Sequence, residues 1–82
     1  MEERTFGSLM QELRKGKGLS QEELAFRCGL DRTYISLLER GLRVPTIATL
    51  FKVSAALTIR PEEFIARMRV QFGNWQKDGS RE

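Results

Sequence analysis

The chain contains no histidine and a single cysteine, Cys28, among its 82 residues. No intrachain disulfide can form. The His and Cys ligand sets that hold zinc are missing, and so is any Cys–His nucleophile. A lone cysteine fits a reducing compartment, so the expected location is the cytoplasm, with Cys28 as a small core residue. No apolar run approaches the ~18 residues that span a bilayer. The first residues, Met1–Phe6, are acidic and unlike a signal peptide. Glycine-rich phosphate loops are also lacking. The carboxylate pairs Glu22-Glu23 and Glu62-Glu63 stand at expected helix starts, where the helix dipole accounts for them. Neither an enzyme nor a metal, cofactor or small-molecule site is therefore expected.

What is present is ordinary for one small globular domain: 40% hydrophobic and 30% charged residues. The formal net charge is +3 and the pI about 9.5. This mild basicity permits binding to a polyanion without requiring it. A chain this short buries a thin core, roughly 60–65% of the surface its unfolded form exposes, which favours dimerisation.

Helical periodicity runs through most of the sequence. Phe6, Leu9, Met10 and Leu13 repeat at i, i+3, i+4, i+7 and predict a helix over Thr5–Lys15, ended by Gly16 and Gly18. Ser20-Gln21-Glu22-Glu23 is a capping-box sequence and predicts a second helix from Ser20 to about Cys28, burying Leu24, Ala25 and Cys28. Gly29 is suited to the left-handed residue that follows. Asp31 is the expected N-cap of a third helix, with Ile35 and Leu38 inward and Gly41 at its end. Both prolines precede or open further helices. Pro45-Thr46 starts a fourth, with Ile47, Leu50, Phe51, Val53 and Leu57 as buried candidates, and Arg60-Pro61 starts a fifth. In that last helix Phe64, Ile65, Met68, Phe72 and Trp75 fall within about a 100° arc. No strand alternation appears, so the expected fold class is all-α, with five helices. A single domain is expected over residues 1–72, followed by a polar tail over 73–82.

Helices two and three, joined by a short turn containing glycine, have the form of a helix-turn-helix unit over residues 21–40. Ala25 is small where the two helices approach, Gly29 suits a positive φ, and Leu24, Leu30, Ile35 and Leu38 plug the core. The run Gly18-Leu19-Ser20-Gln21-Glu22-Glu23-Leu24-Ala25, then Gly29-Leu30, Tyr34-Ile35-Ser36 and Glu39-Arg40-Gly41, resembles the Cro/lambda-repressor-like (Xre) family of regulators over about residues 5–66. Within that family, Leu30-Asp31-Arg32-Thr33-Tyr34-Ile35-Ser36 with Glu39-Arg40-Gly41 and Arg43 is most similar to restriction–modification controller proteins. The resemblance implies a five-helix lambda-repressor-like domain. It also implies a homodimeric transcription factor that binds a palindromic operator and times expression of a restriction enzyme. An antitoxin or phage-type repressor of the same fold is the alternative. A protein-interaction domain on the same scaffold is the alternative from another class, but it calls for acidic residues across the third helix, where only Asp31 is acidic between residues 31 and 38.

The candidate site residues follow. Arg32, second in the recognition helix, suits bidentate bonding to guanine O6 and N7, worth roughly 1–3 kcal/mol of discrimination. Thr33, Ser36 and Leu37 are the other candidates for base edges or a thymine methyl. Gln21, Tyr34, Arg40 and Arg43 are candidates for the DNA backbone. Gln21 draws on the N-terminus of helix two, and the resemblance also makes it a buttress for Arg32. Tyr34 has the alternative of a core-edge aromatic. The resemblance implies that Arg14 and Glu39 form a partly buried ion pair. The apolar stripe of Phe64, Ile65, Met68 and Phe72 is the expected dimer interface. The expected partners are double-stranded DNA and a second copy of the chain, with RNA polymerase a further candidate; no membrane partner is expected.

Overall fold

The computed structural model describes residues 4–69. These hold α1 (Phe6–Gly16), α2 (Gln21–Cys28), α3 (Arg32–Glu39), α4 (Ile47–Ala56) and α5 (Pro61–Arg67). Local chemistry sets most of the boundaries. Thr5 and Ser8 cap α1 reciprocally, each backbone N–H donating to the other's hydroxyl at 3.0 and 3.2 Å. Ser20 and Glu23 form the matching capping box for α2: the Ser20 N–H donates to the Glu23 carboxylate at 2.8 Å, and the Glu23 N–H to the Ser20 hydroxyl at 3.0 Å. These bonds, the backbone N–H of Ser20 foremost, hold the Glu23 carboxyl below its ordinary range. Gly29 takes φ +68° and turns the chain toward α3. Asp31 stands at the N-cap of α3, but its side chain makes no capping bond. It caps only through its carbonyl, which accepts from the Ile35 N–H at 3.1 Å.

α3 packs against α1 and α2, α2 against α4, and α4 against α5. The core joins Phe6, Leu9 and Met10 of α1 with Leu24, Ala25 and Cys28 of α2. It continues through Ile35 and Leu38 of α3, Leu50 and Val53 of α4, and Phe64 of α5. Burial pushes the Cys28 thiol up from its ordinary range, so it is a neutral thiol at pH 7. α1 reaches α3 so closely that Gly7 is buried against the backbone of Leu38.

The fourth and fifth helices differ from the periodicity. Ile47 and Phe51, expected inside, are 69% and 56% exposed. α4 is apolar around too much of its circumference for pattern alone to select the inner face. α5 stops at Arg67, because Met68 turns extended (φ −73°, ψ 147°) and Arg69 pairs with Arg4 in an isolated antiparallel bridge. Both bridging N–H···O bonds are short, at 2.6 and 2.7 Å. The expected stripe is thereby divided. Phe64 is fully buried, its ring 4.8 Å from that of Phe6, and is a core residue with no surface to offer a partner. Ile65 is exposed and Met68 half-buried. Phe72, Trp75 and the expected boundary between 72 and 73 lie outside the described residues.

Candidate nucleic-acid interface

α3 is anchored from below and left open above. Ile35 and Leu38 are buried, whereas Arg32 and Thr33, in its first turn, are exposed. Ser36 and Leu37, in the next turn, are half-buried. Arg40 and Arg43 are exposed beyond the end of the helix, in and before the loop that leads to Pro45. None of Arg32, Arg40 and Arg43 pairs with a carboxylate among the described residues; the ion pairs there are Arg4–Glu12, Arg14–Glu39, Arg60–Glu62 and Arg67–Glu63. Among the described residues, no carboxylate therefore competes with an external anion for the cationic groups around α3.

The anchor is polar as well as apolar. Arg14 and Glu39 meet through two bonds: Nε to Oε2 at 2.7 Å and a terminal guanidinium nitrogen to Oε1 at 3.1 Å. Their side chains are 9% and 1% exposed. The other terminal nitrogen of Arg14 donates to the Leu19 carbonyl at 2.7 Å. Gln21 Nε2 adds a third donor to the same carboxylate, 2.9 Å from Oε1. Glu39 therefore ties α1, α2 and α3 together at one point. Here the expectation for Gln21 needs correcting: the amide buttresses Glu39, at the far end of α3 from Arg32. Among the described residues, the second amide hydrogen and the carbonyl oxygen of the Gln21 side chain have no hydrogen-bond partner.

Tyr34 is half-buried and packs on the core edge, with its hydroxyl 3.2 Å from Thr49 Oγ1. Both Thr49 and the Gln21–Glu39 bond escape a reading of the sequence. The spacing Thr46-x-x-Thr49 marks a helix start, but nothing local connects it to residue 34.

A protein-family model described as "Helix-turn-helix" matches residues 10–64, which include all of α2, α3 and α4. The chain belongs to the helix-turn-helix family. Among relatives of this helix-turn-helix protein is the control protein C.BamHI of Bacillus amyloliquefaciens. The two are 43% identical over 61 residues, which is 73% of this chain and 75% of that protein. The crystal structure of the restriction–modification controller protein C.AhdI from Aeromonas hydrophila superposes with a TM-score of 0.70 at 49% identity, covering 72% of this chain and 89% of that one. The biofilm master regulator SinR, solved in complex with DNA, also superposes with a TM-score of 0.70, at 37% identity over 74% of this chain and 98% of that one.

Proposed function

We propose that the protein is a sequence-specific DNA-binding transcriptional regulator of the controller type. It acts as a homodimer on a palindromic operator and controls a restriction–modification operon that includes its own gene. The observation that carries this reading is α3 itself: its inner face is locked by Ile35, Leu38 and Glu39, and Arg32 at its open end is exposed and meets no carboxylate among the described residues. The similarity to controller proteins supports the same reading. Arg32 and Thr33 would read base edges, with Ser36 and Leu37 beside them. Gln21, Arg40 and Arg43 would hold phosphates, and Tyr34 would do so through its hydroxyl. RNA polymerase would be the partner if the protein activates. The proposed compartment is the cytoplasm, where the operator is; among the described residues no helix is long and apolar enough to cross a membrane.

The dimer surface moves with the burial of Phe64. Ile47 and Phe51 form an exposed apolar ridge one turn apart on α4, and Ile65 on α5 is 54% exposed. Ile47, Leu50, Ile65 and Met68 line a shallow groove beside that ridge. A ridge beside a groove is what a two-fold, self-complementary interface uses. Two copies docked there would offer two α3 helices to major grooves about 34 Å apart.

The test is binding of wild type and Arg32→Ala to the duplex directly upstream of the gene and to random duplex, across a salt series. Wild-type affinity is expected to fall with a log–log slope of roughly −0.9 per phosphate neutralised. Arg32→Ala is expected to lose about 1–3 kcal/mol on the operator and far less on random DNA. An unchanged ratio of the two affinities, or a flat salt dependence, would count against the reading. Sedimentation of Phe51→Glu should show a monomer where the wild type dimerises.

A further inference from the structure

A chain of three hydroxyls runs from the start of α4 to the recognition helix. Thr46 Oγ1 caps α4 by accepting from the Thr49 N–H at 3.1 Å. The Thr49 hydroxyl lies 3.0 Å from Thr46 Oγ1 and 3.2 Å from the Tyr34 hydroxyl. Thr49 is 4% exposed, so no solvent competes for its one proton. Thr46 and Tyr34, at the two ends, are respectively exposed and half-buried.

The protons can be counted. Three hydroxyls carry three protons, and the chain has two links, so one proton is left for a group outside it. If Thr46 donates to Thr49 and Thr49 to Tyr34, the spare proton is that of the phenol. In the opposite polarity Tyr34 donates inward and the spare proton belongs to Thr46. The phenol is the most acidic of the three and the best donor, so without an external acceptor it points inward to Thr49. An anionic acceptor beside α3 selects the other polarity, and successive hydrogen bonds in such a chain strengthen one another.

We propose that Thr49 is a positioning residue for Tyr34. Its buried hydroxyl holds the phenol at the edge of α3 and changes from acceptor to donor when the Tyr34 hydroxyl donates a hydrogen bond to a DNA phosphate. The inference rests on the reading of α3 as the DNA-binding helix. It goes beyond that reading by assigning a role to a residue on α4 that need touch no DNA.

The protein has one tyrosine, so the tyrosine Raman doublet, whose intensity ratio separates donating from accepting phenols, reports on Tyr34 alone. In the wild type this ratio should move from a donating phenol toward one that both donates and accepts when the duplex from upstream of the gene is added. In Thr49→Val the accepting component should be absent. Thr49→Val should weaken binding of that duplex about three- to tenfold when Tyr34 is present, the effect of one hydrogen bond. In a Tyr34→Phe background it should have almost no further effect. Thr49→Ser should restore wild-type affinity. An equal loss from Thr49→Val in both backgrounds would overturn the proposal, as would a Raman ratio in the wild type that DNA leaves unchanged. The second measurement needs no variant, so a poorly folding Thr49→Val does not remove the test. If the wild type binds neither this duplex nor random DNA at low salt, the DNA reading fails first. If the wild type binds and Tyr34→Phe binds equally well, only the role of Thr49 and Tyr34 fails.

Discussion

Gly7→Ala is expected to lower the melting temperature by about 15 °C or more, since each kcal/mol shifts a domain of this size by roughly 4–8 °C. The Cβ that alanine adds would stand 1.8 Å from the Leu38 carbonyl oxygen, 2.7 Å from its carbon and 3.0 Å from Glu39 Cα. All of these are backbone atoms in the last turn of α3, so no side chain can rotate away. α1 must instead lift off α3. Overpacking of a core costs typically 1–3 kcal/mol when side chains absorb it, and more where backbone must move. Alanine gains about 0.5–1 kcal/mol over glycine in a helix interior, which is too little to offset that cost. Thermal unfolding followed by circular dichroism decides the matter. A Gly7→Ala protein as stable as the wild type would mean that α1 and α3 do not touch in this way.

Glu39→Leu is expected to cost about 3–5 kcal/mol, because it strands a buried guanidinium. Arg14 would keep only its bond to the Leu19 carbonyl, and Gln21 Nε2 would lose its acceptor. Arg14→Leu should cost a similar amount for the converse reason, leaving a carboxylate that is 1% exposed with one neutral donor. The double variant should be less damaged than the sum of the two, and close to or better than either alone, because paired burial of two charges carries its own desolvation cost. Urea denaturation of the four proteins measures the coupling directly. Strict additivity would mean that the two side chains act independently. DNA affinity should fall in both single variants even at temperatures where they remain folded, since Glu39 fixes the end of α3.

The legible parts of this fold are the local ones. Ser20 and Glu23 announce a helix start three residues apart, Gly29 announces the turn after it, and the apolar register of Leu24, Ala25, Ile35 and Leu38 follows from helical spacing. The exposed candidates Arg32, Thr33, Arg40 and Arg43 were legible as positions on or beyond a helix with a known inner face. What stayed hidden is what depends on a distant segment. Gly7 carries no signal of its own in the sequence, and its role shows only once Leu38 lies against it. Phe64 looks like surface on an isolated helix and becomes core once Phe6 is placed beside it. Ile47 and Phe51 look like core because α4 offers more apolar residues than one face can bury. The end of α5 at Arg67 has no local signal, because it depends on the pairing of Arg69 with Arg4 from the opposite end of the described chain. Gln21 and Thr49 found partners, Glu39 and Tyr34, that no spacing rule connects.

The separation of duties along α3 bears on how such a protein can change. The residues that seat the helix, Ile35, Leu38 and Glu39, are not those that face outward, Arg32 and Thr33. Substitutions at the outward positions meet solvent when DNA is absent, so they carry little folding cost and are open to drift. A lineage can therefore acquire a new operator through a few replacements near the start of one helix while its scaffold stays fixed. The same property makes the domain a practical recipient for grafted recognition residues, provided the graft stops short of Tyr34, whose inward contacts belong to the scaffold.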